Sequence, residues 1–198
     1  MSALRGHLLL ALLMLTGCSI APRAPEMPAD WEQHVATLAA RENWKLSGKL
    51  GVRAQSANGA ATLDWTQHGA SWRLILAGAL GSGRLTLDGG TDGVAWRDTR
   101  GRSGHHADPD ALVTELWGWP LPVAALRYWV RGIPQPGVAI EKPEFGNGSL
   151  RRFVQAGWQI EASEQREVEG FALPTRLRIT GYGAVLTLVV REWSLPAS

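Results

Sequence analysis

From residue 44 to residue 53 apolar and polar side chains alternate. Trp44, Leu46, Leu50 and Val52 fall on one side, Lys45, Ser47, Lys49 and Arg53 on the other. A period of two predicts a strand with one face against a core. The pattern returns after Ser56-Ala57-Asn58-Gly59: Leu63 and Trp65 share a face in 62–67, and His68-Gly69 turns the chain into 72–76. After glycine-containing turns come 84–88 and 94–97. Five short alternating segments joined by such turns predict an antiparallel meander with one face rich in Trp and Leu.

Elsewhere the period changes. Trp31, Val35, Leu38 and Ala39 recur at helical spacing, with Asp30 at the N-cap and Gln33 completing a capping box, in a helix ending near Arg41. In the middle of the chain Asp108 caps, Pro109 takes the first helical position, and Leu112, Val113, Leu116 and Trp117 form a stripe stopped by Gly118. Pro122 opens another helix carrying Val123, Leu126, Trp129 and Val130, ended by Gly132 and Pro134. A Pro/Gly-rich connection is expected through Gly148, and then strands at 150–155, 158–163, 174–180 and 184–193, the last two joined by a turn at Gly181-Tyr182-Gly183. The order is helix, strands, two helices, strands, without an internal repeat. Strands that all keep one apolar face predict a β-rich α+β domain, a strongly curved sheet or open barrel with the central helices against its apolar side.

The first residues follow a different rule. Arg5 and His7 precede the apolar run 8–15, which is the layout of a secretory signal peptide and too short for a spanning helix. Leu15-Thr16-Gly17-Cys18 matches the bacterial lipobox. Cys18 is the single cysteine, so it has no internal disulfide partner. The motif implies cleavage before Cys18 and acylation of its thiol and new amino group. Each buried acyl CH2 contributes about 0.8 kcal/mol, so several chains anchor firmly. Ser19, in place of the Asp that retains such proteins in the inner membrane, implies the outer membrane of a Gram-negative bacterium, with the domain facing the periplasm. The expected organisation is 1–17 signal peptide, 18–29 lipidated and Pro-rich tether, and 30–198 one domain.

With Arg5 removed the net charge is near neutral, and the basic residues are dispersed, which gives no reason to expect nucleic acid. Tryptophan changes the picture: ten of them, against two Tyr and three Phe. They suit a cavity lining, a membrane interface or a barrel filling. Candidate chemistry is thin. His105, His106 and Asp108 form the densest polar cluster, but without the further ligands of a metal site they are expected to be a polar loop. No G-x-S-x-G elbow occurs, and Gly48-Lys49 is followed by Leu50 with Asn43 where the first P-loop glycine belongs. Glu167 and Glu169 are expected in an exposed loop before Gly170. No catalytic or metal-ligating residues and no cofactor, beyond covalent lipid on Cys18, are expected. Binding is favoured over catalysis.

Several stretches in order along the chain resemble the LolB family of outer-membrane lipoproteins. They are the lipobox, the segment 44–53, Ala79-Leu80-Gly81, Gly118-Trp119-Pro120-Leu121-Pro122-Val123 running into Leu126-Arg127-Tyr128-Trp129-Val130-Arg131-Gly132, and Gln155-Ala156-Gly157-Trp158. The resemblance implies an unclosed antiparallel β-barrel, about ten to eleven strands with a helical lid and an apolar cavity. It also implies a function: accepting lipoproteins from a LolA-like periplasmic carrier and inserting them into outer-membrane phospholipid. On the strand assignments, Leu46, Leu50, Leu63, Trp65, Leu74, Leu76, Leu85 and Trp96 are cavity candidates, and Leu112, Leu116, Leu126 and Trp129 are lid candidates, with core packing as the competing role. The family's membrane-insertion leucine corresponds to Leu80, between Ala79 and Gly81, in a glycine-rich turn of a kind that prefers polar residues, with folding back onto the barrel rim as the competing role. Family members often have Pro where Ala79 stands. Lys45, Lys49, Arg127 and Arg131 are candidates to meet an acidic carrier rim. The expected partners are carrier, acylated cargo and phospholipid, and a monomer is expected. The alternatives left open are a carrier of another apolar ligand and a structural envelope lipoprotein.

Overall fold

A computed structural model describes residues 26–55, 58–78 and 83–196; Cys18 and Ala79-Leu80-Gly81 lie outside the described residues. Helix α1 (Trp31–Ala39) precedes strands β1 (Asn43–Ala54), β2 (Asn58–His68), β3 (Ser71–Gly78), β4 (Arg84–Gly90), β5 (Gly93–Asp98) and β6 (Ser103–His106). Helices α2 (Pro109–Trp117) and α3 (Val123–Trp129) follow, then β7 (Ile140–Gly146), β8 (Ser149–Gln155), β9 (Trp158–Val168), β10 (Phe171–Gly181) and β11 (Ala184–Ser194). All the strands belong to one antiparallel sheet in the order β6-β5-β4-β3-β2-β1-β11-β10-β9-β8-β7. The first and second runs of strands join through β1 and β11, whose register includes Leu50↔Leu188 and Val52↔Leu186. β6 and β7 are the two edges, so the barrel is unclosed.

The period-two pattern carries over directly. Along β1, Trp44, Leu46, Leu50 and Val52 are buried while Lys45, Lys49 and Arg53 are exposed. The β1–β11 register slips between Ser47 and Gly48, where the backbones come so close that a Cβ on Gly48 would lie 2.4 Å from the Val189 carbonyl oxygen. Only glycine fits that bend. The concave face packs on α2 and α3, with Leu112, Val113, Leu126, Trp129 and Val130 buried against Leu63, Leu74, Leu177 and Leu188 in one continuous core.

The caps of α2 are as the sequence predicts. Asp108 is extended and its carboxylate accepts from the backbone N–H of Asp110 at 2.8 Å and of Ala111 at 3.3 Å. Gly118 closes the helix in the left-handed region at φ 76°. The capping box of α1 does not form. Asp30 sits near the helical region (φ −96°, ψ 7°) with its side chain free of the cap, and the Gln33 amide donates to Thr37 Oγ1 at 3.3 Å instead.

Two strands were not visible in the pattern. β6 occupies the stretch expected to be a polar loop: His105 pairs with Ala95 and His106 with Val94. β7 occupies part of the expected connection and carries Pro143 and a positive-φ Lys142 beside its irregular register with β8. Both are edge strands with mostly exposed side chains, so neither has an apolar alternation to announce it. β9 and β10 also extend past the expected ends, taking Glu167 into the ladder opposite Ala172.

Candidate functional site

The hairpin turns sort to two ends of the barrel, and the two ends differ. At one end, here the base, α1 lies across the opening. Trp31 stacks on His34 (centroids 5.4 Å apart) and meets Phe145 edge-on at 5.3 Å. Trp44 packs against Trp65 at 5.4 Å and Trp193 at 5.9 Å, and Trp65 against Trp72 at 6.0 Å. Arg131, 2 % exposed, extends from the end of α3 and donates to the Leu38 carbonyl at 2.7 Å and the Arg41 carbonyl at 3.2 Å, with Trp44 and Tyr128 rings beside its guanidinium. Its charge completes the C-terminus of α1, where carbonyls lack helical partners. Burial, then the neighbouring Arg127, lower its pKa to about 10, so it stays charged at neutral pH. Buried in this way, Arg131 has no surface to offer a carrier rim; Lys45 and Lys49 are exposed on β1.

The other end is open. Beside the described ends of β1, β2, β3, β4 and β5 and the β5–β6 turn, a cavity of about 340 Å³ lies between the sheet and the end of α2. Leu50, Val52, Ala61, Leu85, Trp96 and Leu116 contribute to its wall, and Trp117 and Trp119, with centroids 5.1 Å apart, stand at its helical side. The rim is polar: Asn58, Arg84, Asp98, Thr99, Arg100 and Arg102. Asp98 accepts from the backbone N–H groups of Arg100 and Arg102, both at 2.9 Å, and from the Arg102 guanidinium at 2.7 Å. Burial works to raise the Asp98 carboxyl, but Arg102 and those N–H groups outweigh it and hold it below the usual carboxylate range.

Of the eight cavity candidates, Leu50, Leu85 and Trp96 come together at this wall. Leu46, Leu63, Trp65, Leu74 and Leu76 lie deeper and are at most 3 % exposed, packed in the core. Of the lid candidates, Leu116 reaches the cavity, whereas Leu112, Leu126 and Trp129 are buried against the sheet. The reason is geometric: a strand pattern identifies the inward face but not the height along the barrel, nor which inward residues α2 and α3 cover. Val52, Ala60, Ala61, Trp117 and Trp119 also line the cavity. Val52 shared the inward face already read for β1, and only its position at the strand end singles it out. His105 and His106 sit apart from the cavity on β6, where His106 Nδ1 accepts from the Asp108 N–H at 2.9 Å. Among the described residues no three His, Cys, Asp or Glu side chains gather as a metal site.

The family model "Outer membrane lipoprotein LolB" matches residues 42–193. The chain belongs to the LolB family. Its relatives include outer-membrane lipoprotein LolB of Stutzerimonas stutzeri, 36% identical, with 91% of this chain and 90% of that protein covered. LolB of Alkalilimnicola ehrlichii is 35% identical, with 96% and 98% covered. Among solved structures, a LolA superfamily protein from Nitrosomonas europaea superposes with a TM-score of 0.48 at 7% identity over 80% of this chain and 88% of that one. As a LolB-family member the protein is a lipid-anchored outer-membrane lipoprotein of a Gram-negative cell.

Proposed function

We propose that this LolB-family protein takes the acyl chains of lipoproteins from a LolA-like periplasmic carrier into the open cavity and passes them into outer-membrane phospholipid. The observation that carries this reading is the cavity itself: an apolar wall of Leu50, Val52, Leu85, Leu116 and paired tryptophans, open at one end. Burial of hydrocarbon is non-directional, so such a wall accepts chains of different length and cargos of different sequence. Transfer without a nucleotide requires descending free energy, carrier to receptor to bilayer. Steps of about 1.4 kcal/mol each give a tenfold preference. In this reading residues 1–17 are removed, lipid on Cys18 anchors the chain through the 18–29 tether, and the domain works as a monomer without cofactor or catalytic residues. Leu80, flanked by Ala79 and Gly81, is the residue that enters the bilayer when cargo leaves.

A transfer assay tests the reading. Carrier loaded with an acylated lipoprotein is mixed with the mature chain carrying Cys18→Ser, and cargo is followed by pull-down. Cargo is expected on this protein without added nucleotide. A carrier that keeps its cargo in the presence of folded protein overturns the assignment. Leu80→Glu is expected to leave folding and carrier-to-receptor transfer intact while stopping delivery to vesicles. Equal loss of both steps removes the insertion role.

A further inference from the structure

The acyl-bearing part of a lipoprotein, a thioether-linked diacylglycerol and an amide, carries no charge, yet the cavity mouth is cationic. Arg84 stands at the start of β4 and Arg100 at the tip of the β5–β6 turn, both exposed and both at the rim. Among the described residues neither has a carboxylate within ion-pair distance, whereas Arg102 is taken by Asp98 at 2.7 Å. Asp98 is the one acid among the described lining residues, and its oxygens are occupied by Arg102 and the turn's own N–H groups. The start of β4 is tied to the residue before Arg100: Thr99 N–H donates to the Arg84 carbonyl at 3.2 Å, and Arg84 N–H donates to Thr99 Oγ1 at 3.4 Å. The Asp98 bonds fix the turn that carries Arg100. The opposite end has the other sign. There α1 and the turns carry Asp30, Glu32, Glu42, Asp92 and Glu169, against the cations Arg41, Lys45 and the buried Arg131.

We propose that Arg84 and Arg100 are a headgroup-binding rim for the phosphates of anionic phospholipid, so that the protein meets the bilayer cavity-end first with its acidic base turned away. A guanidinium offers a planar fork of donors matched to phosphate oxygens. The adjacent apolar wall accepts a chain from the same lipid, or lies against the acyl boundary when the headgroups are engaged. The proposal rests on the reading above only in taking the open end as the one that faces membrane.

The test is flotation of the mature chain carrying Cys18→Ser, which has no acyl anchor, with phosphatidylcholine vesicles and with vesicles in which a third of the lipid is phosphatidylglycerol. The expected result is preferential binding to the anionic vesicles that weakens with salt. Arg84→Gln and Arg100→Gln are each expected to lower that binding about fivefold, from about 1 kcal/mol per basic residue near an anionic surface. Lys45→Gln, a change of equal charge at the other end of β1, is expected to leave it unchanged. Equal losses from Lys45→Gln, or no preference for anionic vesicles, overturn the proposal. Inorganic phosphate bound in solution with the same arginine dependence also overturns it, by making the rim a small-anion site. Carrier-to-receptor transfer in solution is measured on the same variants. Transfer retained without vesicle preference sinks the rim alone, and vesicle preference retained without transfer sinks the receptor reading alone.

Discussion

Gln155 is 0 % exposed, and every polar atom of its side chain is used. Its Oε1 accepts from Trp129 Nε1 at 2.7 Å and Gln135 N–H at 2.9 Å, while Nε2 donates to the carbonyls of Gln135 and Val138 at 3.0 and 2.8 Å. One amide therefore ties the end of β8 to α3 and to the segment leading into β7. Gln155→Leu keeps the volume but leaves two donors and two acceptors buried. Each orphaned group costs about 1–3 kcal/mol, and relaxation toward water recovers part of it, so a loss of about 3 kcal/mol is expected. The midpoint of urea unfolding should fall with an unchanged slope. Gln155 was legible only as part of a family-like stretch, because a polar residue in an inward strand position reads locally as an exception. Arg131 is the same case, since its partners are carbonyls some ninety positions earlier in the chain. Hydrophobic alternation says which residues go inside, and it carries no information on distant backbone groups that need a donor.

At the scale of elements, α1 is the informative one. It is nine residues long, lacks a side-chain N-cap bond, and is held by packing rather than propensity: Trp31 and Leu38 are buried, and Arg131 closes its far end. His34 on its inner flank lies between Trp31 and Phe171. Burial lowers its pKa from 6.5, outweighing the opposing pull of Asp30. Between that ordinary value and the lower folded one the unfolded chain binds more protons than the folded chain. The contribution of His34 is therefore present above pH 6.5 and is lost as pH falls through the folded value. Urea midpoints measured at pH 7.5 and pH 5.5 should drop on acidification, and His34→Gln should shrink that drop. The helices and inner strands were readable because each has an apolar stripe or a cap, as with Asp108, Pro109 and Gly118. The edge strands were not, because β6 and β7 bury almost nothing and exist through pairing alone.

At the scale of the molecule, the tryptophans separate into groups. Trp31, Trp44, Trp65, Trp72 and Trp193 gather at the base, Trp129 sits in the middle, Trp158 pairs with Tyr182, and Trp96, Trp117 and Trp119 stand at the cavity. Filling thus takes more of them than lining does, although composition offered both roles equally. The base is anchored by large rings and a buried arginine, and the opposite end is left to smaller side chains. Amide hydrogen exchange should register this gradient. Protection is expected to be greatest in β1, β2 and β11, and least in β6 and β7, by about 1.4 kcal/mol or more, at least tenfold in rate. Uniform protection across the sheet would contradict an open seam between the edges.

That seam has a mechanical meaning. A closed barrel is a hoop: widening it stretches a complete ring of backbone hydrogen bonds, and its bore is fixed by strand number and stagger. This sheet, ending at β6 and β7, is instead a spring clip, held at its spine by the β1–β11 pairing. Because β6 and β7 share no ladder, parting them breaks no strand–strand hydrogen bond, and what resists it is the packing of α2 and α3 against both arms of the sheet. A sheet built this way has no complete ring of backbone bonds to set its bore, so side-chain packing sets it instead.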